Sequence, residues 1–241
     1  MFDHVDIAVS DLAASRRFYV EALGLQDVDG EWVEWSDFGI REVDDEHPLT
    51  RRLHVGFGVE DREAVDRWWQ RLTEAGYESD GEPGPRPQYS PSYYGAFVLD
   101  PDGNSIEAVH GEGIVEKGID HLWFRTRDPR AAKSFYETIA ATVGLELRHD
   151  SAERASFSAG GRQGFSFVAG AEPTAGVHLA FAVRSREAVE AFHAAALAAG
   201  YRDNGGPGER PQYHPGYYGA FVLDPDGNNV EAVFHDRPRG D

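Results

Sequence analysis

Apolar and polar residues alternate along Val5-Asp6-Ile7-Ala8-Val9, the period of a half-buried strand, and the period then lengthens. Asp11 is placed to cap a helix whose apolar face is Leu12, Phe18, Tyr19 and Leu23, and Gly24 supplies its stop. The same sequence of periods returns. Leu53 to Val59 reads as a strand, Asp61 as a helix cap, Ala64, Val65, Trp68, Leu72 and Ala75 as a buried stripe, and Gly76 as a stop. Of the Trp68-Trp69 pair, the first belongs to the core and the second to partly exposed surface. A third and a fourth round follow, the last running from Val177 to Val183 through Ser185 to Gly200. Short strands close each round. The last pair turns at Asp100-Pro101-Asp102-Gly103 or Asp224-Pro225-Asp226-Gly227, where proline presets the turn and glycine completes it. The expected fold is α+β, with four βαβββ units. A unit carrying one helix on one face of a small sheet leaves the other face free to curl around a ligand.

The rounds fall into two copies. Arg86 to His110 matches Arg210 to Phe234 without gaps at 20 of 25 positions, an offset of 124 residues. Asp3-His4 with Phe18-Tyr19 matches Asp120-His121 with Phe135-Tyr136 at an offset of 117. The expected organisation is a module at 1–112, a linker at 113–118, a second module at 119–235 and a tail at 236–241.

Three polar residues interrupt the strands of each copy. His4 opens the first strand, His54 opens the strand of the second unit, and Glu107 breaks Ile106-Glu107-Ala108-Val109; His121, His178 and Glu231 stand at the matching places. An ionised carboxylate on a buried strand face needs a partner, since burying it unpaired costs several kcal/mol, a rough figure. The copies diverge around these positions, with Val5-Asp6-Ile7 against Leu122-Trp123-Phe124, yet keep the same three residue types. Two imidazoles and one carboxylate suit a divalent metal with open positions: Fe(II), Mn(II), Zn(II) or Ni(II). With no cysteine in the chain, disulfides, thiolate ligands and cysteine nucleophiles are excluded.

Composition narrows the partners. The chain has 241 residues, 41% hydrophobic and 12% aromatic, enough to build cores. A net charge of −19 repels phosphate backbones and anionic membranes, so neither nucleic acid nor a membrane is an expected partner. The only lysines are Lys117 and Lys133, which leaves a Schiff base almost no candidates. No apolar run is long enough to span a bilayer and Met1-Phe2-Asp3-His4 has no leader character, so a cytoplasmic location is expected. The expected partner is a small-molecule substrate, and the expected state a monomer or homodimer.

The paired βαβββ units, Phe18-Tyr19 followed by Ala22-Leu23-Gly24-Leu25, and the Asp-Pro-Asp-Gly-Asn hairpin leading into a glutamate resemble the vicinal oxygen chelate superfamily. That superfamily includes glyoxalase I, extradiol dioxygenases, fosfomycin-resistance enzymes, methylmalonyl-CoA epimerase and bleomycin-resistance proteins, and the resemblance covers nearly the whole chain. It implies two glyoxalase-like modules with curled mixed sheets. It also implies metal ligands on the first, fifth and eighth strands of a module, which map to His4, His54 and Glu107 and to His121, His178 and Glu231. Their sites form within modules or across them, as in swapped members. Glyoxalase I has a further acidic ligand, for which Glu42 is available in the first module, whereas Gln163 to Phe167 offers no acid in the second. The extradiol catalytic tyrosine falls on Phe97 and Phe221. The implied function is a metal-dependent lyase, isomerase or dioxygenase that chelates adjacent substrate oxygens; the alternative is a bleomycin-resistance-like sequestration protein. Arg86, Tyr89, Arg210 and Tyr213, on the proline-rich loops, are the expected substrate contacts. Tyr94, Tyr218 and His214 are the expected catalytic groups, His214 having only Ser90 as its counterpart.

Overall fold

The computed structural model describes residues 2–24, 32–35, 37–115, 118–159 and 163–236, and the side chains of all these except 32–35 and 159. Leu25, Lys117, part of the expected linker and residues 237–241 of the tail lie outside them.

In the first unit β1 (Phe2–Val9) leads into α1 (Leu12–Leu23), β2 (Trp32–Trp35) and β3 (Phe38–Glu42). The second is β4 (His54–Gly58), α2 (Arg62–Glu74), β5 (Ser79–Pro85), β6 (Tyr94–Leu99) and β7 (Ser105–His110). The third is β8 (Ile119–Thr126), α3 (Pro129–Val143), β9 (Leu145–Asp150), β10 (Arg154–Ala159) and β11 (Gln163–Ala169). The fourth is β12 (Val177–Ala182), α4 (Arg186–Ala198), β13 (Arg202–Glu209), β14 (Tyr217–Leu223) and β15 (Asn229–His235). The last three are complete βαβββ units; the first shows two strands after its helix among the described residues. Helix boundaries follow the capping chemistry. Asp11 accepts from the Ala14 amide at 2.9 Å, and Gly24 ends α1 in the left-handed region, where a Cβ would be strained.

Two mixed sheets result, and each draws on both halves of the chain. One has the order β13-β14-β15-β12-β1-β3-β2, joining the fourth unit to the first. The other runs β5-β6-β7-β4-β8-β11-β10-β9, joining the second to the third. The seams are antiparallel pairs, β1 with β12 (Val5 opposite Leu179) and β4 with β8 (Gly56 opposite His121). Helices cover the outer faces, α2 on β5, β6 and β7 and α4 on β13, β14 and β15. Within each half the two helices also touch, α1 with α2 and α3 with α4. Aromatic edges fill these junctions: Phe18 meets Tyr77 and Phe135 meets Tyr201, both at 4.8 Å between centroids. Trp68 is buried and donates to the Ala22 carbonyl at 2.8 Å, while Trp69 is only partly covered.

The Asp-Pro-Asp-Gly-Asn turns do more than close hairpins. Asp100 accepts from the amides of Asp102 and Asn104, and the buried Asn104 carboxamide oxygen accepts from the Leu53 amide at 3.1 Å. That bond anchors the chain one residue before His54. Asn228 does the same for Val177, one residue before His178.

Candidate metal centres

Polar interruptions of the strands converge on the concave faces. At the first centre, His54 Nε2, His121 Nε2 and Glu107 Oε2 lie 3.2 Å from one another. At the second, His178 Nε2 is 3.1 Å from both His4 Nε2 and Glu231 Oε2, and the His4 to Glu231 distance is 3.8 Å. Of the two arrangements left open by the sequence, within modules or across them, the structure shows the second. His121 joins His54 and Glu107, and His4 joins His178 and Glu231, because the sheets are shared across the seams.

Each imidazole is held from behind. His121 Nδ1 donates to Asp120 at 2.9 Å and His4 Nδ1 to Asp3 at 2.8 Å; this leaves Nε2 as the free electron pair when the ring is neutral. His54 Nδ1 meets the Ser105 hydroxyl at 3.2 Å, and that hydroxyl donates onward to Asp80 at 2.7 Å. His178 Nδ1 meets the Asn229 amide at 2.7 Å. Both carboxylates are almost wholly buried. Glu107 receives the Tyr93 hydroxyl at 2.9 Å and Glu231 the Tyr217 hydroxyl at 2.7 Å. Gly95 and Gly219 lie beneath Glu107 and Glu231, where any Cβ would collide with the carboxylate.

Electrostatics follow from this packing. Burial alone would drive the His121 imidazolium to lose its proton, but Asp120 and Glu107 outweigh it and raise the group to about 9. His4 is likewise raised to about 9 against burial by Asp3, Asp6 and Glu231. His54 goes the other way: burial, with the charge of His121 nearby, lowers it despite Glu107. Burial disfavours the Glu107 carboxylate, yet His121 and His54 hold it down at about 2. Burial and the adjacent glutamate push Tyr93 and Tyr217 upward, so both stay protonated donors.

The residues fit a divalent metal. Three donors 3.2 Å apart have the spacing of atoms that each stand about 2.0–2.2 Å from one ion, and the donor types are those of borderline metals. The glycine cradles show a backbone shaped to admit the carboxylates. A cavity of about 840 Å³ opens over the first centre and one of about 660 Å³ over the second. Tyr89 and Phe97 line the first, and Tyr213 and Phe221 the second.

Several expected site residues stand elsewhere. Tyr94 donates to Asp66 on α2 at 2.8 Å and Tyr218 to Glu190 on α4 at 3.2 Å. Strand side chains alternate, so Tyr93, Gly95 and Phe97 share the cavity face while Tyr94 faces the helix. Arg86 is spent on the Glu82 and Pro85 carbonyls and stacks over Phe97; Arg210 repeats this on Gly206, Glu209 and Phe221. Neither residue lines the cavity over its triad. Glu42 is exposed at the end of β3 and supplies no ligand. His214 does not line the cavity either. It meets His235 at 2.8 Å, His235 donates to Asp3 at 2.9 Å, and Asp3 holds His4, a chain that reaches the second centre from behind. Sequence reasoning missed Asp3 and Asp120 as ligand partners, although the repeated Asp-His dipeptide was the available signal.

Paired βαβββ units curling around a cavity define a class of fold, and comparison with known proteins places the chain in it. The family model described as Glyoxalase/Bleomycin resistance protein/Dioxygenase superfamily matches residues 1–108 and 118–232, and the chain belongs to that superfamily. Among solved structures it is similar to glyoxalase I from Zea mays, with 20% identity, a TM-score of 0.71 and coverage of 97% of this chain and 92% of that one. A putative dioxygenase from Bacillus subtilis subsp. subtilis str. 168 gives 15% identity and a TM-score of 0.69, covering 98% and 85%. No curated protein matches. Among the described residues, no helix is long and apolar enough to cross a membrane.

Proposed function

We propose that the chain is a metal-dependent enzyme of the vicinal oxygen chelate type, acting on a small substrate that presents two adjacent oxygens to a divalent cation. The observation that carries this reading is the convergence of Nε2, Nε2 and Oε2 within 3.2 Å on the floor of an 840 Å³ cavity, with the same three atom types within 3.8 Å of one another in a second copy. His54, Glu107 and His121 would hold one cation, and His4, His178 and Glu231 the other; Fe(II), Mn(II), Zn(II) and Ni(II) suit both donor sets. The chemistry supplied by a cation held there would be Lewis acidity toward the substrate oxygens and electrostatic stabilisation of enolate- or catecholate-like charge.

The chain's own residues supply orientation and enclosure. Asp120 and Asp3 fix the ring tautomers that present Nε2, and Tyr93 and Tyr217 keep the glutamates aimed. Tyr89 and Trp123, 5.9 Å apart, wall the first cavity and limit water beside the substrate. His214 and His235 support His4 through Asp3, so the role proposed for His214 is to position that ligand. Isomerase, lyase and dioxygenase chemistry all use this arrangement.

Metal analysis after reconstitution tests the reading: two divalent ions per chain are expected, and a chain that retains none overturns it. With metal bound, oxygen uptake with catechols marks a dioxygenase, and isomerisation of a thiol–oxoaldehyde adduct marks a glyoxalase-type enzyme.

A further inference from the structure

The two cavities share their triads and differ in what surrounds them. On β8 the residues facing the first cavity are His121, Trp123 and Arg125; the matching residues of β1 are His4, Asp6 and Ala8. Four arginines line the first cavity: Arg52, Arg125, Arg148 and Arg154. Two of them are neutralised, Arg52 by Glu172 and Arg148 by Glu146. Arg125 and Arg154 have no carboxylate partner among the described residues, in a chain with 42 acidic side chains and a net charge of −19.

Arg154 is the more informative. Its guanidinium carbon lies 4.7 Å over the Trp123 ring, Nη2 donates to Ser166 at 3.3 Å, and Nε is buried with no acceptor. A buried guanidinium N–H left without an acceptor is costly, and its planar fork matches an oxyanion. Trp123 stands between this group and the triad, since His54 is its register partner across the seam and Ser166 its partner on the other side. Along the sheet, Arg154 is two strands from β8 and four residues beyond the row of His121, an offset of about 10 Å by about 13 Å. The second cavity lacks this arrangement. Asp6 lies 3.9 Å from His4 Nε2 and Asp45 and Glu46 line the wall; of its two arginines, Arg41, whose Nε is likewise buried without an acceptor, is engaged at both Nη atoms by His47 and Asp44, and Arg202 is exposed at the start of β13.

We propose that the centre of His54, Glu107 and His121 selects an anionic substrate, its vicinal oxygens at the triad and a carboxylate or phosphate against Arg154 across Trp123, whereas the centre of His4, His178 and Glu231 does not select for negative charge. This rests on the chelate reading above and names the substrate class of one of its two centres.

The test is calorimetric binding to the Zn(II)-loaded full chain. The probes are 3-(3,4-dihydroxyphenyl)propionate, its methyl ester and the corresponding phosphonate, all of which carry the same vicinal oxygens. The double variant His178→Ala/Glu231→Gln isolates the first centre, and His54→Ala/Glu107→Gln the second. At the first centre the anions bind roughly tenfold or more tighter than the ester, at the second within about twofold of it. Whichever anion is tighter tells carboxylate from phosphate. In Arg154→Gln the preference disappears while ester binding persists, which reports an intact centre, and Arg154→Lys keeps part of it. Equal affinity for acid and ester at the first centre, or a preference that survives Arg154→Gln, overturns the inference and leaves the chelate reading standing. Failure of Zn(II) or of the ester to bind overturns the chelate reading instead.

Discussion

Gly56 faces His121 across the seam between β4 and β8, and a Cβ on residue 56 would stand 2.7 Å from His121 Nδ1. Glu107 pairs with Gly56 from the other side, so the glycine is the floor over which histidine and carboxylate meet. The second centre has Ala180 at the matching position, and its His4 to Glu231 distance is 3.8 Å against 3.2 Å for His121 to Glu107. Gly56→Ala therefore displaces His121 and opens the first centre toward the spacing of the second. Its metal affinity falls about tenfold, roughly 1.4 kcal/mol, while the second centre is unchanged. Competition with a chromophoric chelator reads both constants.

Shared sheets make a distinctive prediction about which variants act together. His4→Ala combined with Glu231→Gln removes two ligands of one centre and leaves one metal per chain. His4→Ala combined with Glu107→Gln damages both centres and leaves none. Sites built within each half would give the opposite outcome, so metal counting on the two double variants decides between them.

Tyr217→Phe deletes the 2.7 Å bond to Glu231 without changing the ring that packs against His235. The buried carboxylate loses its orienting donor, and metal affinity at the second centre falls about tenfold. Tyr93→Phe does the same at the first. Thermal midpoints of the metal-free variants fall as well, by an amount equivalent to about 1–3 kcal/mol for a buried acceptor left short of a partner.

Acidity separates the metal-free and loaded proteins. In the metal-free chain His4 and His121 have folded values near 9 against an ordinary value of 6.5. Their stabilisation is fully present below about 6.5 and is lost as pH rises through about 9. Glu107, held at about 2 against 4.5, contributes above about 4.5 and loses its contribution as pH falls through about 2. Metal-free melting temperatures should accordingly decline from pH 6.5 to 9. A metal competes with the His121 proton, so affinity at the first centre rises with pH over that same range, with about one proton released per ion near neutrality. Calorimetry in buffers of different ionisation enthalpy measures that release.

Much of this site is legible in the strand patterns, because two copies that diverge around these positions keep two histidines and a glutamate at matching places. The grouping was not legible. β1 carries the same local pattern whether it pairs with β4 or with β12, and only non-local pairing chooses. Parity decided the tyrosines: Tyr93 and Tyr94 are neighbours in sequence, and which one reaches the glutamate of the triad depends on sharing the alternation of Gly95 and Phe97. Arg86 and Arg210 look like substrate contacts on their loops, yet the arms of β5 and β13 consume them with carbonyls of their own. Arg154 gave no signal, since its counterpart in the first unit has a different residue type and no motif marks it.

The β1–β12 seam places the first strand two positions from the last, with β12 between β1 and β15. A peptide joining the start of β1 to the end of β15 would therefore cross only the end of β12, and the break it permits at residues 113–118 falls outside every strand that carries a triad residue. In such a circular permutant the order of the four units would change from 1-2-3-4 to 3-4-1-2 and both triads would keep all six donors. Chain order is thus separable from site geometry in this protein: what the centres require is that the four units meet edge to edge, whichever of them is synthesised first.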